Sequence, residues 1–492
     1  MLIRQSAAYL VANGCTAALG FVAVIVFTQL LTPAEFGVYV IANSMGAIVS
    51  ALLFTWLRQS ILRFESEGGG ADVRLTALAG FGLSIAVLPA GLLVLAYVVR
   101  LPWPTAAAAI LFAATLALYD LGQELLRARL AARAYMIASV VRSVASLALA
   151  VAALKLGGGG LAVVGAVAAA YVLAALASAR AVWRRPLKAF DSVRLAEFVR
   201  FGTPITVSGL LFAVHMALDR LAVFKLLGPE AAGQYGASAD FVRQCIIYPA
   251  LSASLAIAPL AIRTFSQSGS DAARRHLAVA GELLLALILP AVAGIAVAAP
   301  DIAAVVFGPL YRASAQSLLP IIACAWLFQV MSQHYVHLSF NLAQRPALYI
   351  GHGLATLAVN AALMVPMVQA FGQQGAAYSL MIAEAAGLAA GWGLARRAFP
   401  LPGLGRALAR TLLASAVMGV AAALVARAFA APGIVSLLAV VATGLAVYAA
   451  AALALDLVGT RAIWRAAVPR GKELIAHLRK SIGRAAAALT WS

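Results

Sequence analysis

Apolar residues run through this chain in blocks of about twenty or more, separated by short clusters of charge, glycine or proline. A hydrocarbon layer about 30 Å thick is crossed by a helix of roughly 20 apolar residues, so each block predicts one membrane-crossing helix. Fourteen blocks are centred near residues 18, 46, 86, 113, 146, 170, 213, 247, 288, 325, 357, 384, 417 and 444. An even number puts both termini on one side. The first block, about residues 6–31, is too long for the apolar core of a signal peptide and reads as a retained span.

Composition agrees with that pattern. Of 492 residues, 64% are hydrophobic and 11% charged, whereas a soluble domain averages about a quarter charged residues. A soluble enzyme, a disordered chain and a disulfide scaffold are excluded, and the predicted fold class is an all-α polytopic membrane protein. Cys15, Cys245 and Cys324 lie in apolar stretches without metal-ligand spacing and read as small core residues.

The formal charge of +19 would suggest nucleic acid in a soluble domain. Here its distribution gives another explanation. With the N-terminus inside, 28 of the 36 Lys and Arg fall on inward segments, 5 on outward segments, and Arg142, Arg220 and Arg243 within spans. Such alternation is the positive-inside pattern. It predicts cytoplasmic termini, and no nucleic-acid partner is needed.

The chain also repeats itself. Leu30-Leu31-Thr32-Pro33 followed by Gly37 and Tyr39 recurs, 196 residues on, as Leu226-Leu227-Gly228-Pro229 followed by Gly233 and Tyr235. Leu130-Ala131-x-Arg133 is echoed by Leu342-Ala343-x-Arg345, and Gly157-x-x-Gly160-x-Ala162 by Gly372-x-x-Gly375-x-Ala377. A six-helix unit preserves orientation, so two parallel lobes around a central cavity are expected. The expected divisions are an N-terminal lobe (1–182), a cytoplasmic linker with an amphipathic surface helix (183–200), a second lobe (201–398), helices 13 and 14 (399–458), and a basic amphipathic tail (459–492). Within the linker, Leu195 and Phe198 form the apolar side; within the tail, Ile475, Leu478 and Ile482 do so.

No P-loop, G-x-S-x-G or H-E-x-x-H motif is present, so no catalytic residue, cofactor or metal is assigned. The candidates for chemistry are ionisable groups in or near spans, where burial is costly and usually marks a paired or functional residue. Helix 7 carries His215, Asp219 and Arg220; helix 8 carries Asp240 and Arg243; helix 5 carries Arg142; helix 12 carries Glu384. Helix 10 carries His334, His337 and Asn341, and Arg58 and Arg63 lie at the inner end of helix 2. Each has a structural alternative. Asp240 and Arg243 read equally as an ion pair, His334 and His337 as packed, hydrogen-bonded imidazoles, and Arg58 and Arg63 as headgroup-level anchors. Glu282, near a span end, reads as snorkelling.

The residues Leu31-Thr32-Pro33-Ala34-Glu35-Phe36-Gly37-Val38-Tyr39, Leu57-Arg58-Gln59-Ser60-Ile61-Leu62-Arg63-Phe64, Phe201-Gly202-Thr203-Pro204, Asp219-Arg220 and Gly233-Gln234-Tyr235-Gly236 resemble the polysaccharide transporter family. That family includes the Wzx-type O-antigen and exopolysaccharide flippases, within the superfamily that also holds multidrug exporters and lipid II flippases. The resemblance implies two facing six-helix lobes and transport of an undecaprenyl-diphosphate-linked oligosaccharide across the bacterial inner membrane, from the cytoplasmic to the outer leaflet, by alternating access. A polysaccharide polymerase and a chain-length regulator are partners that the resemblance alone implies.

A diphosphate moving past hydrocarbon calls for charge-assisted hydrogen bonds, which arginine gives in bidentate form. Arg58, Arg142, Arg220 and Arg243 are the expected headgroup ligands, and Asp219, Asp240, Glu384 and His334 the expected coupling groups. Membrane lipids are further partners, and two repeated lobes make a monomer sufficient. Three other functions stay open: an ion-coupled multidrug exporter, a lipid II flippase, and a membrane glycan polymerase or ligase. The short outward loops count against the last.

Overall fold

The computed structural model describes residues 2–66, 73–184, 187, 190–345 and 347–462, with backbone alone at 2–13, 255, 256 and 258. The basic tail and part of the 183–200 segment lie outside the described residues. Helices make up the described chain: α1 (Leu2–Leu30), α2 (Pro33–Ser66), α3 (Arg74–Leu93, extended by a π turn Val94–Val98), α4 (Trp103–Ala128), α5 (Ala132–Lys155), α6 (Gly160–Trp183) and α7 (Ser192–Leu227). Two long helical stretches follow, Pro229–Val306 and Ala347–Ala398, separated by Arg312–Met331 with its continuation to Leu342.

Each long stretch is broken once. Gly269 has φ 78° and Gly372 φ 59°, a region that a residue with a Cβ enters only with strain. The breaks give α8 (229–268), α9 (270–306), α11 (347–371) and α12 (373–398), with α10 as residues 312–342. Gly405–Arg427 is α13 and Ile434–Leu455 is α14. Every sequence-predicted centre falls inside one of these fourteen helices. Helical backbone satisfies its own polar groups, which lipid cannot do. Ten described stretches are long and apolar enough to cross a membrane, the two broken ones included. Helix α7 is not among the ten.

The repeated turn motif has a local cause. Thr32 and Glu35 form a capping box: the Thr32 backbone N–H and hydroxyl donate to Glu35 Oε2 at 3.0 and 2.9 Å, and Glu35 N–H returns to Thr32 Oγ1 at 3.3 Å. Pro33 occupies the first helical position, where its missing N–H costs nothing. Pro229 does the same for α8.

These two turns meet. A Cβ on Gly37 would collide with the carbonyl oxygen of Pro229, and one on Gly233 with that of Pro33. The contact is reciprocal, as a twofold relation between the repeats requires, and small residues let the backbones approach. Around it Thr28 Oγ1 donates to Val306 O at 3.4 Å and Tyr311 Oη to Leu31 O at 3.1 Å. One apolar core, with Phe27, Phe36, Tyr235, Phe307 and Tyr311, joins helices of both repeats at this end. At the other end the cores are separate: Leu57, Ile61, Leu121 and Leu125 in the first repeat, Ile257, Leu277, Leu284 and Leu342 in the second. The repeats therefore share one core at this sealed end and keep two cores at the other, the divided end, where α7 packs on α2 with Gly202 against the Trp56 backbone.

The segment expected as a surface helix, Val193–Phe201, is instead the first turns of α7, capped by Asp191, whose Oδ1 accepts from Arg194 N at 3.0 Å. Phe198 is fully buried, stacked on Phe64 at 5.3 Å, and its carbonyl accepts from Ser60 Oγ at 2.9 Å. This contact holds the segment against α2. Helices α13 and α14 dock on α9: Tyr448 Oη donates to Ala286 O at 2.6 Å, and Gly433 N to Asp301 Oδ1 at 3.0 Å. Glu282 does not snorkel; its Oε1 accepts from Val458 N at 3.0 Å and caps the turn after α14. Leu424, Val435, Leu438 and Leu445 are each more than 60% exposed, an apolar surface suited to lipid rather than water.

Candidate functional site: a central cavity with three arginines

Between the two repeats lies a cavity of about 560 Å³, walled by α1, α2, α4, α5 and α6 on one side and α7, α8, α10 and α12 on the other. Its apolar wall includes Phe27, Phe36, Phe112, Phe212, Trp326 and Leu380. Against these stand three arginines and two aspartates: Arg142, Arg220, Arg243, Asp219 and Asp240. Five of the eight residues expected at the site thus converge on one space.

The arginines are held differently. Arg220 Nη2 donates to Asp240 Oδ1 at 2.5 Å, linking α7 to α8. The expected partner of Asp240, Arg243 three residues along, is not the one it takes; a residue on the neighbouring helix reaches it instead. Arg243 is exposed to the cavity and makes no hydrogen bond or ion pair among the described residues.

Arg142 has no carboxylate beside it among the described residues. Its Nη2 donates to Thr16 Oγ1 at 3.2 Å and Ser143 Oγ at 3.0 Å. Its guanidinium carbon lies 5.9 Å from the ring of Tyr119 and 5.8 Å from that of Tyr171, within cation–π range. Both rings flank the guanidinium, and no carboxylate comes within ion-pair distance of it among the described residues; Asp120, which pairs with Arg58, acts on it electrostatically from further away.

Asp219 is buried and fully engaged: its Oδ1 accepts from Arg220 N at 2.8 Å and its Oδ2 from Tyr235 Oη at 2.7 Å. Tyr235 is the tyrosine of the repeated motif, so the same segment seals one end and braces the cavity wall. Asn43 Oδ1, Ser146 Oγ and Gln244 Oε1, all in the lining, are buried without a hydrogen-bond partner among the described residues. Unmet polar atoms in a buried wall are a capacity for a polar ligand.

The other three expected residues lie elsewhere. Arg58 Nη1 pairs with Asp120 Oδ2 at 2.9 Å, and its Nη2 lies 3.6 Å from Glu124 Oε1, towards the divided end. Glu384 is buried within the second repeat, where its Oε1 lies 2.8 Å from His215 Nε2 and accepts from Gln329 Nε2 at 2.9 Å. His334 sits in a π turn of α10, Ser332–Val336, half-buried and outside the cavity lining. Sequence reasoning missed Thr16, Ser143, Tyr119 and Tyr171, which position Arg142, and Gln329, which fixes Glu384. A hydroxyl or aromatic residue in an apolar span carries little signal until its neighbour is known.

A chain of this geometry invites comparison with known proteins. No curated protein matches the sequence. Among solved structures, the lipid II flippase MurJ in an inward closed conformation matches with a TM-score of 0.74 at 12% identity, over 92% of this chain and 99% of that one. An inward-facing multidrug resistance MATE family transporter of the MOP superfamily gives 0.58 at 16% identity, and an outward-facing one 0.51 at 17%. Each of these covers 80% of this chain and 94% of the other. At such identities the likeness is one of fold: a multi-pass membrane protein built like flippases and multidrug transporters. A family model described as polysaccharide biosynthesis protein matches residues 26–316. That match spans more than half of the 492 residues, and the chain belongs to the polysaccharide biosynthesis protein family.

Proposed function

We propose that this protein is a flippase that carries an undecaprenyl-diphosphate-linked oligosaccharide from the cytoplasmic to the periplasmic leaflet of a bacterial inner membrane, for assembly of a surface polysaccharide. The observation that carries the reading is the pair of arginines, Arg142 and Arg243, that face one cavity without a carboxylate partner among the described residues. An unpaired charge in apolar surroundings is costly. A diphosphate relieves that cost with charge-assisted hydrogen bonds, each worth about 1.5–3 kcal/mol. The glycan would meet the unmet oxygens of Asn43 and Gln244, while the prenyl tail stays in lipid.

Arg220 has a different role in this reading. Asp240 competes with the cargo for it, so binding stays weak enough for release. Residues 1–182 and 201–398 are the two rocking lobes, with both termini and the divided end in the cytoplasm, as the distribution of Arg and Lys favours. Alternating access then consists of parting the turns around Pro33 and Pro229 while the cytoplasmic ends close. A polymerase and a chain-length regulator would act on the delivered unit.

The cavity argues against cationic drugs as cargo. Its arginines outnumber its aspartates, and both aspartates are already hydrogen-bonded, Asp219 to Tyr235 and Asp240 to Arg220. Alanine at both Arg142 and Arg243 tests the reading: export of the glycan falls at least tenfold while the protein level in the membrane is kept. Undiminished export by the folded double variant would rule it out.

A further inference from the structure

A second place where the repeats touch at the sealed end lies outside the cavity lining. There the turn between α3 and α4, at Arg100, meets the last turn of α7, at Lys225. Lys225 Nζ donates to the carbonyl oxygen of Arg100 at 2.8 Å. Beneath that bond, Leu95 and Leu101 of the first repeat share an apolar core with Leu221 and Phe224 of α7. The backbone at Arg100 has φ 56°, a region that suits glycine and that other residues enter with strain. The chain nonetheless carries an arginine there.

The contact brings two like charges together, and Arg100 is the charge that acts on Lys225. Neither is joined to a carboxylate by an ion pair or hydrogen bond among the described residues. Both are exposed, so the pair is open to an anion. Its surroundings say which kind. Three residues to either side of Arg100 stand Tyr97 and Trp103, 67% and 48% exposed, edge to face with ring centroids 5.7 Å apart. Exposed tyrosine and tryptophan mark the headgroup level of a membrane protein. Val94 and Val98, 49% and 75% exposed, extend an apolar stripe from there along the helix, suited to hydrocarbon. Two cations at the level of lipid phosphates match an anionic headgroup better than a zwitterionic one, whose ammonium they repel.

We propose that Arg100 and Lys225 together bind the phosphate of an anionic phospholipid in the leaflet at the sealed end, and that this lipid staples the two repeats there. Arginine offers its planar fork to the phosphate oxygens and lysine a point charge. Opening this end parts α7 from the turn at Arg100, so one partner must give up the lipid, and the lipid therefore favours the closed state. The proposal holds whether a glycan or a drug is carried, and its test needs no cargo. The full chain, with Cys15, Cys245 and Cys324 replaced by serine, is labelled with nitroxides at Leu156 and Phe371, both exposed and one in each repeat. The distance between the labels is measured in vesicles of phosphatidylcholine alone and of phosphatidylcholine mixed with phosphatidylglycerol.

Phosphatidylglycerol is expected to shift the distribution towards the shorter distance. Arg100→Gln and Lys225→Gln each abolish that difference between lipids, Lys225→Arg retains it, and so does Arg427→Gln at another exposed cation. Comparing lipids within each variant separates lipid binding from loss of the Lys225 contact itself, and either of the first two variants suffices if the other fails to fold. A wild-type distance that ignores phosphatidylglycerol, a shift that survives both substitutions, or one that Arg427→Gln also removes would each overturn the proposal. So would an equal shift on adding inorganic phosphate to phosphatidylcholine vesicles, which would make the ligand a free anion. Glycan export plays no part in this measurement, so the two readings stand or fall separately.

Discussion

Arg220 of α7 donates to Asp240 of α8 at 2.5 Å, in the wall of a cavity whose other two arginines have no carboxylate partner among the described residues. That asymmetry separates a latch from two ligands, and it sets the sign of the first prediction.

Asp240→Asn keeps the shape of the latch and removes its charge. The freed Arg220 joins Arg142 and Arg243, so the diphosphate binds more tightly, by about tenfold or 1.4 kcal/mol, and turnover slows because release is impaired. Titration of purified protein with a short-chain prenyl diphosphate measures the first effect and single-turnover export the second. Weaker binding in Asp240→Asn would contradict the latch.

Arg142 lies beside Tyr119 and Tyr171 and donates to two hydroxyls. Lysine has the charge but neither the planar fork nor the stacking surface. Arg142→Lys is expected to retain part of the headgroup affinity and Arg142→Ala to lose about tenfold or more. Equal losses would mean that the fork is irrelevant; no loss in either would remove Arg142 from the site.

The reciprocal contact of Gly37 with Pro229 and of Gly233 with Pro33 leaves no room for a methyl group on either glycine. Gly37→Ala and Gly233→Ala should each oppose closure of this end by about 1–3 kcal/mol, the usual cost of overpacking, with unchanged helix content. Distance measurements between Leu156 and Phe371 would then show a larger separation in both variants. A wild-type distance in either one would show that the turns are not the seal.

Much of this arrangement is legible in the sequence, for particular reasons. Apolar blocks of span length can only be helices in lipid, so fourteen helices and their centres follow directly. The repeated Leu-Leu-x-Pro-x-x-x-Gly-x-Tyr motif is visible, and Thr32 to Glu35 is a local capping box. What the repeats do to each other is not visible, because the contact of Gly37 with Pro229 joins residues far apart in the chain.

The candidate site divides in the same way. Charge inside an apolar span singles out Arg142, Asp219, Arg220, Asp240 and Arg243, and all five line the cavity. Arg58 and Glu384 carry the same signal but face other partners, Asp120 and His215. Burial cost says that such a residue must be compensated, and it is silent on whether the compensation is a neighbour or a cargo. The partner of Asp240 shows the same limit: helical spacing favours Arg243 at three residues, while packing brings Arg220 from the next helix.

Gly372 turns the chain between α11 and α12 with φ 59°. Nothing lies within 4 Å of where a Cβ would stand, so Gly372→Ala is opposed by backbone strain alone, about 1–3 kcal/mol. Thermal unfolding in detergent should show a correspondingly lower midpoint with export retained. An unchanged midpoint would mean that the turn relaxes to another conformation.

The measurement that bears most directly on the flippase reading uses a strain lacking this chain. Surface glycan is analysed alongside undecaprenyl-linked oligosaccharide in spheroplasts exposed to an added glycan-cleaving enzyme. Loss of one surface polysaccharide, with its lipid-linked unit accumulating out of the enzyme's reach, is the predicted result. Unchanged glycans together with new sensitivity to cytotoxic drugs would contradict it and make the chain a drug exporter.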